Sequence, residues 1–342
     1  MSYAFNFKRI FRAMKNQGVA LMVKGRNAAQ LLTPLLDLYK DEPIAIVGCH
    51  SQQIERDVCE YDVIVVGEKN APKTLSFGAK SFEIFFVEEK ELLNPKDPEL
   101  SISFSSMIIL RDTTFQLSTA YSFHRTMVEK NSKISAERRL ARSLKCLARS
   151  EEAFEKGFEQ DSGFWLAYSS YNFLYAWLLL KNRLPAPSHL IEQLKKVAKY
   201  SPNRFEAISR GISLNRSNRQ TCLERLHTLN IVMDTLENSP SSQGMYVEDF
   251  NLIKRKVDYL ISNMMFVECF SFLGFKICEY ILSLITATAK SEIDYPLNFL
   301  SEKTRLISKD VTRKLHLTST KEELRHGISE IKEQIQRLAR TV

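Results

Sequence analysis

Near residue 113 the chain changes period, and that change constrains its fold more than any other feature. Before it, short apolar runs at 44–47, 62–66, 82–87 and 104–110 have the length of strands. After it, apolar residues recur every three or four positions to the C-terminus. Side chains repeat about every two residues on a strand and about every 3.6 on a helix, so the two halves need different elements. The order predicts an α+β chain: a small mixed sheet with flanking helices, then an all-α helical bundle. At 342 residues two domains are expected, here 1–113 and 114–342. Only 11 Gly and 10 Pro occur, which favours long helices.

Within the first part, helices are expected over 6–17 and 27–39. In the second of these Leu31, Leu32, Leu35, Leu36 and Tyr39 share a face, and Pro34 predicts a kink or a later start. Residues 94–99, with Pro95 and Pro98, read as a loop. Beyond residue 113, helices are expected over 135–156, 163–181, 188–200, 204–214, 218–237, 247–289 and 320–340, with a break near Gly274. Turn residues at 184–187, 201–203 and 238–242 separate them. No internal repeat is evident.

The most chemically informative segment reads Val47-Gly48-Cys49-His50-Ser51, a polar loop, then Glu60-Tyr61-Asp62-Val63. A Gly turn can offer backbone N–H groups to a phosphate. Glu60 and Asp62 are two apart, so on a strand they share a face. Glu83, in the run 82–87, brings a third carboxylate to a neighbouring strand. Clustered carboxylates repel unless a hard cation neutralises them. Alone, Glu60-x-Asp62 is more often a solvated strand end; the turn, the spacing and the third acid together favour a site.

This arrangement resembles the DNA polymerase β-like nucleotidyltransferase superfamily, of the minimal or kanamycin-nucleotidyltransferase-like type. The resemblance covers about residues 40–90. Gly48 precedes Glu60 by 12 residues and Asp62 by 14, a usual spacing for that family. Cys49 stands where Gly or Ser is usual, and Glu60 where the first Asp is usual. The resemblance implies transfer of an NMP from an NTP to an acceptor hydroxyl by a two-metal mechanism. Glu60, Asp62 and Glu83 would hold Mg²⁺ or Mn²⁺, and Gly48, Cys49, His50 and Ser51 would contact the phosphates. The acceptor classes are a small molecule, a protein and an RNA end. The two departures also support an alternative, a nucleotidyltransferase fold that binds nucleotide or RNA without turnover. A third reading is a helical scaffold in which the acids are structural. The segment 165–196 resembles part of a HEPN-like bundle. HEPN ribonucleases carry Arg and His four to six residues apart, whereas Arg225 and His227 are closer, so ribonuclease action is disfavoured.

The formal charge of +8 is compatible with phosphate-bearing partners. Six scattered cysteines form no Cys-x-x-Cys pair, which argues against structural zinc and for buried thiols in a reducing cytosol. Cys49, in the turn, is expected to be partly exposed. The N-terminus lacks an apolar core of the signal-peptide kind. The apolar stretches 164–180 and 264–289 read as core helices rather than spans, the second because Glu268, Lys276 and Glu279 interrupt it. A cytoplasmic protein with no membrane partner is expected.

Two helix faces stand out. Arg138, Arg142, Lys145 and Arg149 line one face of the 135–156 helix beside a stripe of Leu140, Leu144, Leu147 and Ala148. That basic face reads as a wall for phosphates or, slightly favoured, as a solvated face paired with Glu151, Glu152 and Glu155. In the last helix Leu324, Ile328, Ile331, Ile335 and Leu338 form a heptad-like seam behind a capping box at Ser319–Glu322. The seam suits either a homodimer or docking onto the chain's own bundle. The five histidines other than His50 show no metal-ligand spacing.

Overall fold

The structure, a computed structural model, describes residues 27–68, 70–78, 80–199, 201–238, 250–288, 297–300 and 312–340. The expected helix at 6–17 lies outside these. Two compact units divide the chain, Met1–Asn131 and Ser132–Val342.

The first unit is built on a five-stranded mixed sheet. In chain order its strands are β1 (Ile44–Val47), β2 (Tyr61–Val66), β3 (Lys73–Phe77), β4 (Lys80–Val87) and β5 (Ile108–Arg111). Their spatial order is β3-β4-β2-β1-β5. β2 and β4 run parallel, while β1 pairs antiparallel with β2 and β5, and β3 antiparallel with β4. The parallel pair needs no crossover helix because β3 carries the chain back along the outer edge. Sequence periodicity missed β3: as an edge strand it has no fully buried residue and offers only Leu75 and Phe77 as apolar side chains.

Both faces of the sheet are covered, which explains the unbroken apolar runs of β1 and β2. Leu32 and Leu35 of α1 (Asn27–Leu38) close one face over Ile46, Val63, Phe82 and Ile84. Pro34 lies inside α1 and does not end it. Arg111 of β5 donates to the Leu36 and Tyr39 carbonyls, satisfying acceptors that the end of α1 leaves open. The opposite face packs Val47, Ile64 and Val87 against Leu92, Phe104, Leu117 and Ala120. These come from α3 (Glu89–Leu93), α4 (Pro98–Phe104) and α5 (Gln116–Glu155). The one-turn helix Gly48–Ser51 is α2. Two expectations are corrected here. Phe104 ends a helix rather than opening a strand, and Pro98 and Glu99 begin that helix rather than finishing a loop. Pro98 takes the first helical position, where its missing N–H is no loss, and Asp97 caps the Glu99 N–H at 2.9 Å. The change of period at residue 113 has a local cause as well: the Asp112 carboxylate accepts the N–H groups of Leu117 and Ser118 and so starts the 40-residue α5.

The second unit is helical among its described residues. Its elements are the C-terminal part of α5, α6 (Glu159–Leu179), α7 (Leu190–Ala198), α8 (Pro202–Gly211), α9 (Arg219–Glu237), α10 (Phe250–Ser262), α11 (Phe266–Thr288) and α12 (Lys321–Ala339). Every residue of α6 from Asp161 to Leu179 is buried, as a helix apolar on all sides requires. α5 and α6 meet through reciprocal serines. Ser143 and Ser169 each donate to the other's backbone carbonyl at 2.8 Å. Seven residues along each helix, Ser150 and Ser162 repeat the exchange at 2.8 and 2.9 Å.

Several sequence expectations change in this unit. Leu144 is 44% exposed, so the apolar stripe of the basic helix is not continuous; Ser143, Cys146 and Ser150 fill the inner face instead. The break in 247–289 falls between α10 and α11, at the exposed Met264 with φ 55°, and not at Gly274. Gly274 instead makes room: a Cβ there would lie 2.4 Å from the Arg225 guanidinium and 2.5 Å from the Tyr171 hydroxyl. Arg225 is fully buried and donates to the carbonyls of Leu315 (2.9 Å) and Phe270 (2.7 Å), with its guanidinium over the Phe270 ring. The α12 seam is buried within this unit, so its docking reading holds for all five residues. Its cap sits one residue later than expected, with Thr320 accepting the Glu323 N–H. By length and composition α11 could cross a membrane over Phe266–Thr286, and 72% of its apolar 18-residue window is buried.

Candidate functional site

β1 ends directly in the α2 turn. Gly48 adopts φ +71°, a conformation that L side chains rarely take. Its lack of a side chain has a second use: a Cβ there would stand 1.8 Å from Asp62 Oδ2. The antiparallel register that pairs Val47 with Asp62 causes this approach. The parallel register of β2 and β4 sets Asp62 directly opposite Glu83. Glu60, two residues before Asp62, falls on the same face. The result is convergence: carboxylate oxygens of Glu60, Asp62 and Glu83 all lie within 4.8 Å of one another. Glu60 and Glu83 are buried and Asp62 is half-buried.

Magnitudes decide what this means. Two ionised carboxylates at that separation repel by on the order of 3 kcal/mol at an effective dielectric near ~20. Three such pairs would oppose the fold unless a cation or protons offset them. The donor set is all oxygen, from carboxylates, which suits a hard divalent ion such as Mg²⁺ or Mn²⁺. No thiolate competes. Cys49 is buried, contrary to the expectation of partial exposure. Its thiol is held far above the usual range by its hydrogen bond with Cys59, by burial and by the nearby Asp62 and Glu60.

The other turn side chains face inward tasks. The His50 ring stacks on Tyr61, with centroids 3.9 Å apart and planes at 12°. Burial lowers its pKa, so it is neutral near pH 7. The half-buried ring is held against β2 by this stacking and by Nε2, 3.5 Å from the Cys59 carbonyl. Ser51 donates its hydroxyl to the Gly48 carbonyl at 3.0 Å. What α2 can offer a ligand is its backbone, as the sequence reading had it for Gly48, Cys49 and His50.

A cleft of about 520 Å³ opens beside Gly48 and Asp62. That is within the roughly 300–1,000 Å³ of small-molecule sites. Val47, Ile64, Phe85, Val87 and Phe104 make it largely apolar, and Lys96, Asp97 and Leu100 border it from the 94–100 segment. Sequence reasoning missed that segment. The signal available was Pro95 and Pro98 bracketing a lone lysine, but nothing local says that the loop returns over the strand ends.

No family model matches this chain, and no curated protein does. Among solved structures it is similar to a nucleotidyltransferase-like protein from Exiguobacterium sibiricum 255-15, with 11% identity over 84% of this chain and 86% of that one and a TM-score of 0.35.

Proposed function

We propose that this protein is a metal-dependent nucleotidyltransferase whose active site is the carboxylate cluster of the first unit. The observation that carries the reading is the convergence of Glu60, Asp62 and Glu83 on one sheet face, with Gly48 kept bare beneath Asp62. The sequence resemblance names the same residues, and this geometry supports it independently.

In this reading Glu60, Asp62 and Glu83 hold Mg²⁺ or Mn²⁺. When bound, the ion supplies charge neutralisation at the phosphates and lowers the pKa of the acceptor hydroxyl. The chain's own residues do the rest. Backbone N–H groups of the Gly48 turn orient the terminal phosphates. The acceptor oxygen forms a bond to the α-phosphorus. The bond from that phosphorus to its bridging oxygen breaks, and pyrophosphate leaves with the electron pair. Glu83 either completes the ion's ligand set or accepts the acceptor's proton. The apolar walls of the cleft exclude water, which strengthens each charge interaction. Rate enhancement comes mainly from positioning and electrostatics, as in other phosphoryl transfers.

The test is calorimetric titration of each NTP with and without Mg²⁺ or Mn²⁺, on the wild type and on Asp62→Ala. Metal-dependent binding that Asp62→Ala abolishes is the expected result, and full binding in that variant sinks the site. One observation favours a second reading, binding without turnover. The Cys49, His50 and Ser51 side chains are all engaged within the fold, which leaves this turn only its backbone groups for the phosphates. Metal-dependent NTP binding with no pyrophosphate released across acceptor classes selects it. Glu60→Asp separates the two further. It restores the family's acid and is expected to keep or raise turnover in an active enzyme.

A further inference from the structure

The proposed reaction leaves the basic residue of the cleft unused. Among the described residues that line it, Lys96 is the lone Lys or Arg. It faces a space bordered by Asp62, Glu91 and Asp97. The Asp97 carboxylate is already committed to the Glu99 N–H as the cap of α4. Lys96 itself is exposed, and among the described residues it joins no ion pair.

The backbone under Lys96 is constrained from both sides. Pro95 fixes its own φ, and Pro98 restricts Asp97 to extended conformations. The cap at Asp97 then anchors the segment to α4. A lysine on such a base gives up less freedom when it engages a ligand than one on a mobile loop. Its surroundings add to the effect. The apolar residues Ile64, Phe85, Val87 and Phe104 lower the local dielectric, so an anion between them and Lys96 is held more strongly than at an open surface.

We infer that Lys96 is a substrate-contacting residue that takes a phosphate oxygen of the ligand entering this cleft. The inference rests on the nucleotidyltransferase reading and sharpens it. Asp62 brings the acidic cluster, with the metal it holds in this reading, to the cleft wall, and Lys96 brings the cleft a cationic side chain. A ligand carrying several negative charges can meet both; a neutral nucleoside can meet neither.

The experiment is calorimetry of wild type, Lys96→Met and Lys96→Arg with ATP in Mg²⁺, with adenosine and with inorganic pyrophosphate. A charge-assisted contact of this kind is worth about ten- to a hundredfold in affinity. Lys96→Met is therefore expected to weaken ATP by that factor, Lys96→Arg to recover most of it, and adenosine to respond equally in all three. Lys96 is exposed, so its variants are expected to fold, and circular dichroism checks this. ATP affinity in Lys96→Met within twofold of wild type overturns the inference while leaving the carboxylate site standing. If the wild type binds no NTP, the nucleotidyltransferase reading fails, and pyrophosphate in Mg²⁺ decides the lysine alone. Binding lost in Lys96→Met supports it; equal binding, or none in the wild type, overturns it.

Discussion

The two units differ at one point in how they hold buried polar groups. In the first, three groups of like charge converge at the start of β2 and the middle of β4. In the second, each buried polar group discussed above meets a complementary one: Arg225 meets carbonyls and an aromatic face, and the serines of α5 and α6 exchange hydrogen bonds in pairs. Complementarity is what folding alone selects. Convergence of like charge works against the fold, so it points to something the fold is for. That contrast supports the proposed site in the first unit without reference to any relative.

Arg225→Ala tests the contrast where the effect is largest. It empties a fully buried site and leaves the Leu315 and Phe270 carbonyls without their donor. The expected cost is about 3–5 kcal/mol, read as a lower urea midpoint. Asp62→Asn is expected to do the reverse in metal-free protein. It removes one of three like charges and adds an amide donor, so the apo form should gain on the order of 1 kcal/mol while metal-dependent nucleotide binding is lost. If Asp62→Asn destabilised the apo protein, the carboxylates would be structural and the contrast would break.

These two residues also mark what could be read in advance. Asp62 was legible because its signals are local: a period of two, a Gly 14 residues earlier and an apolar strand after it. The sheet strands with both faces buried were legible for the same reason. Arg225 was not, because its partners lie 45 and 90 residues away and its role is set by where Gly274 leaves room. Nor was β3, whose edge position leaves it little apolar surface to show. Lys96 fell between: its bracketing prolines were visible, and the cleft it borders was not. Local chemistry reveals a site when its residues sit on adjacent strands; long-range complementarity shows only in three dimensions.

A pH-dependent effect of intermediate size comes from His124. It is buried against Phe104, with Nδ1 2.7 Å from Ser101 Oγ and Nε2 2.5 Å from the Leu92 carbonyl. A carbonyl can only accept, so Nε2 carries the proton and Nδ1 accepts from Ser101; Asn131 in turn donates to Ser101. Burial lowers the His124 pKa. The unfolded chain therefore binds this proton more readily than the native one. The contribution to stability is full above about pH 6.5, the ordinary histidine value, and is lost as pH falls below it. His50 is shifted in the same direction. Urea midpoints from pH 8 to pH 5 should fall for the wild type, and His124→Asn should show a shallower fall. Parallel curves would remove His124 from this account.

The smallest effect expected is also the most diagnostic of the second unit's design. Each serine of the α5–α6 pairs donates to the other's backbone carbonyl, and that carbonyl survives mutation. Ser143→Ala therefore removes one hydrogen bond without taking away the acceptor of Ser169. Its cost should be about 1 kcal/mol, and Ser169→Ala should cost the same. The Oγ atoms also lie 3.0 Å apart, which allows some coupling. If the carbonyl bonds dominate, the double variant costs nearly the sum of the two, with a coupling energy below about 0.5 kcal/mol. A larger coupling would mean that the hydroxyls depend on each other. The second unit would then hold a polar network of its own at the α5–α6 contact, and like-charge convergence would be the better discriminator between the units than polar satisfaction.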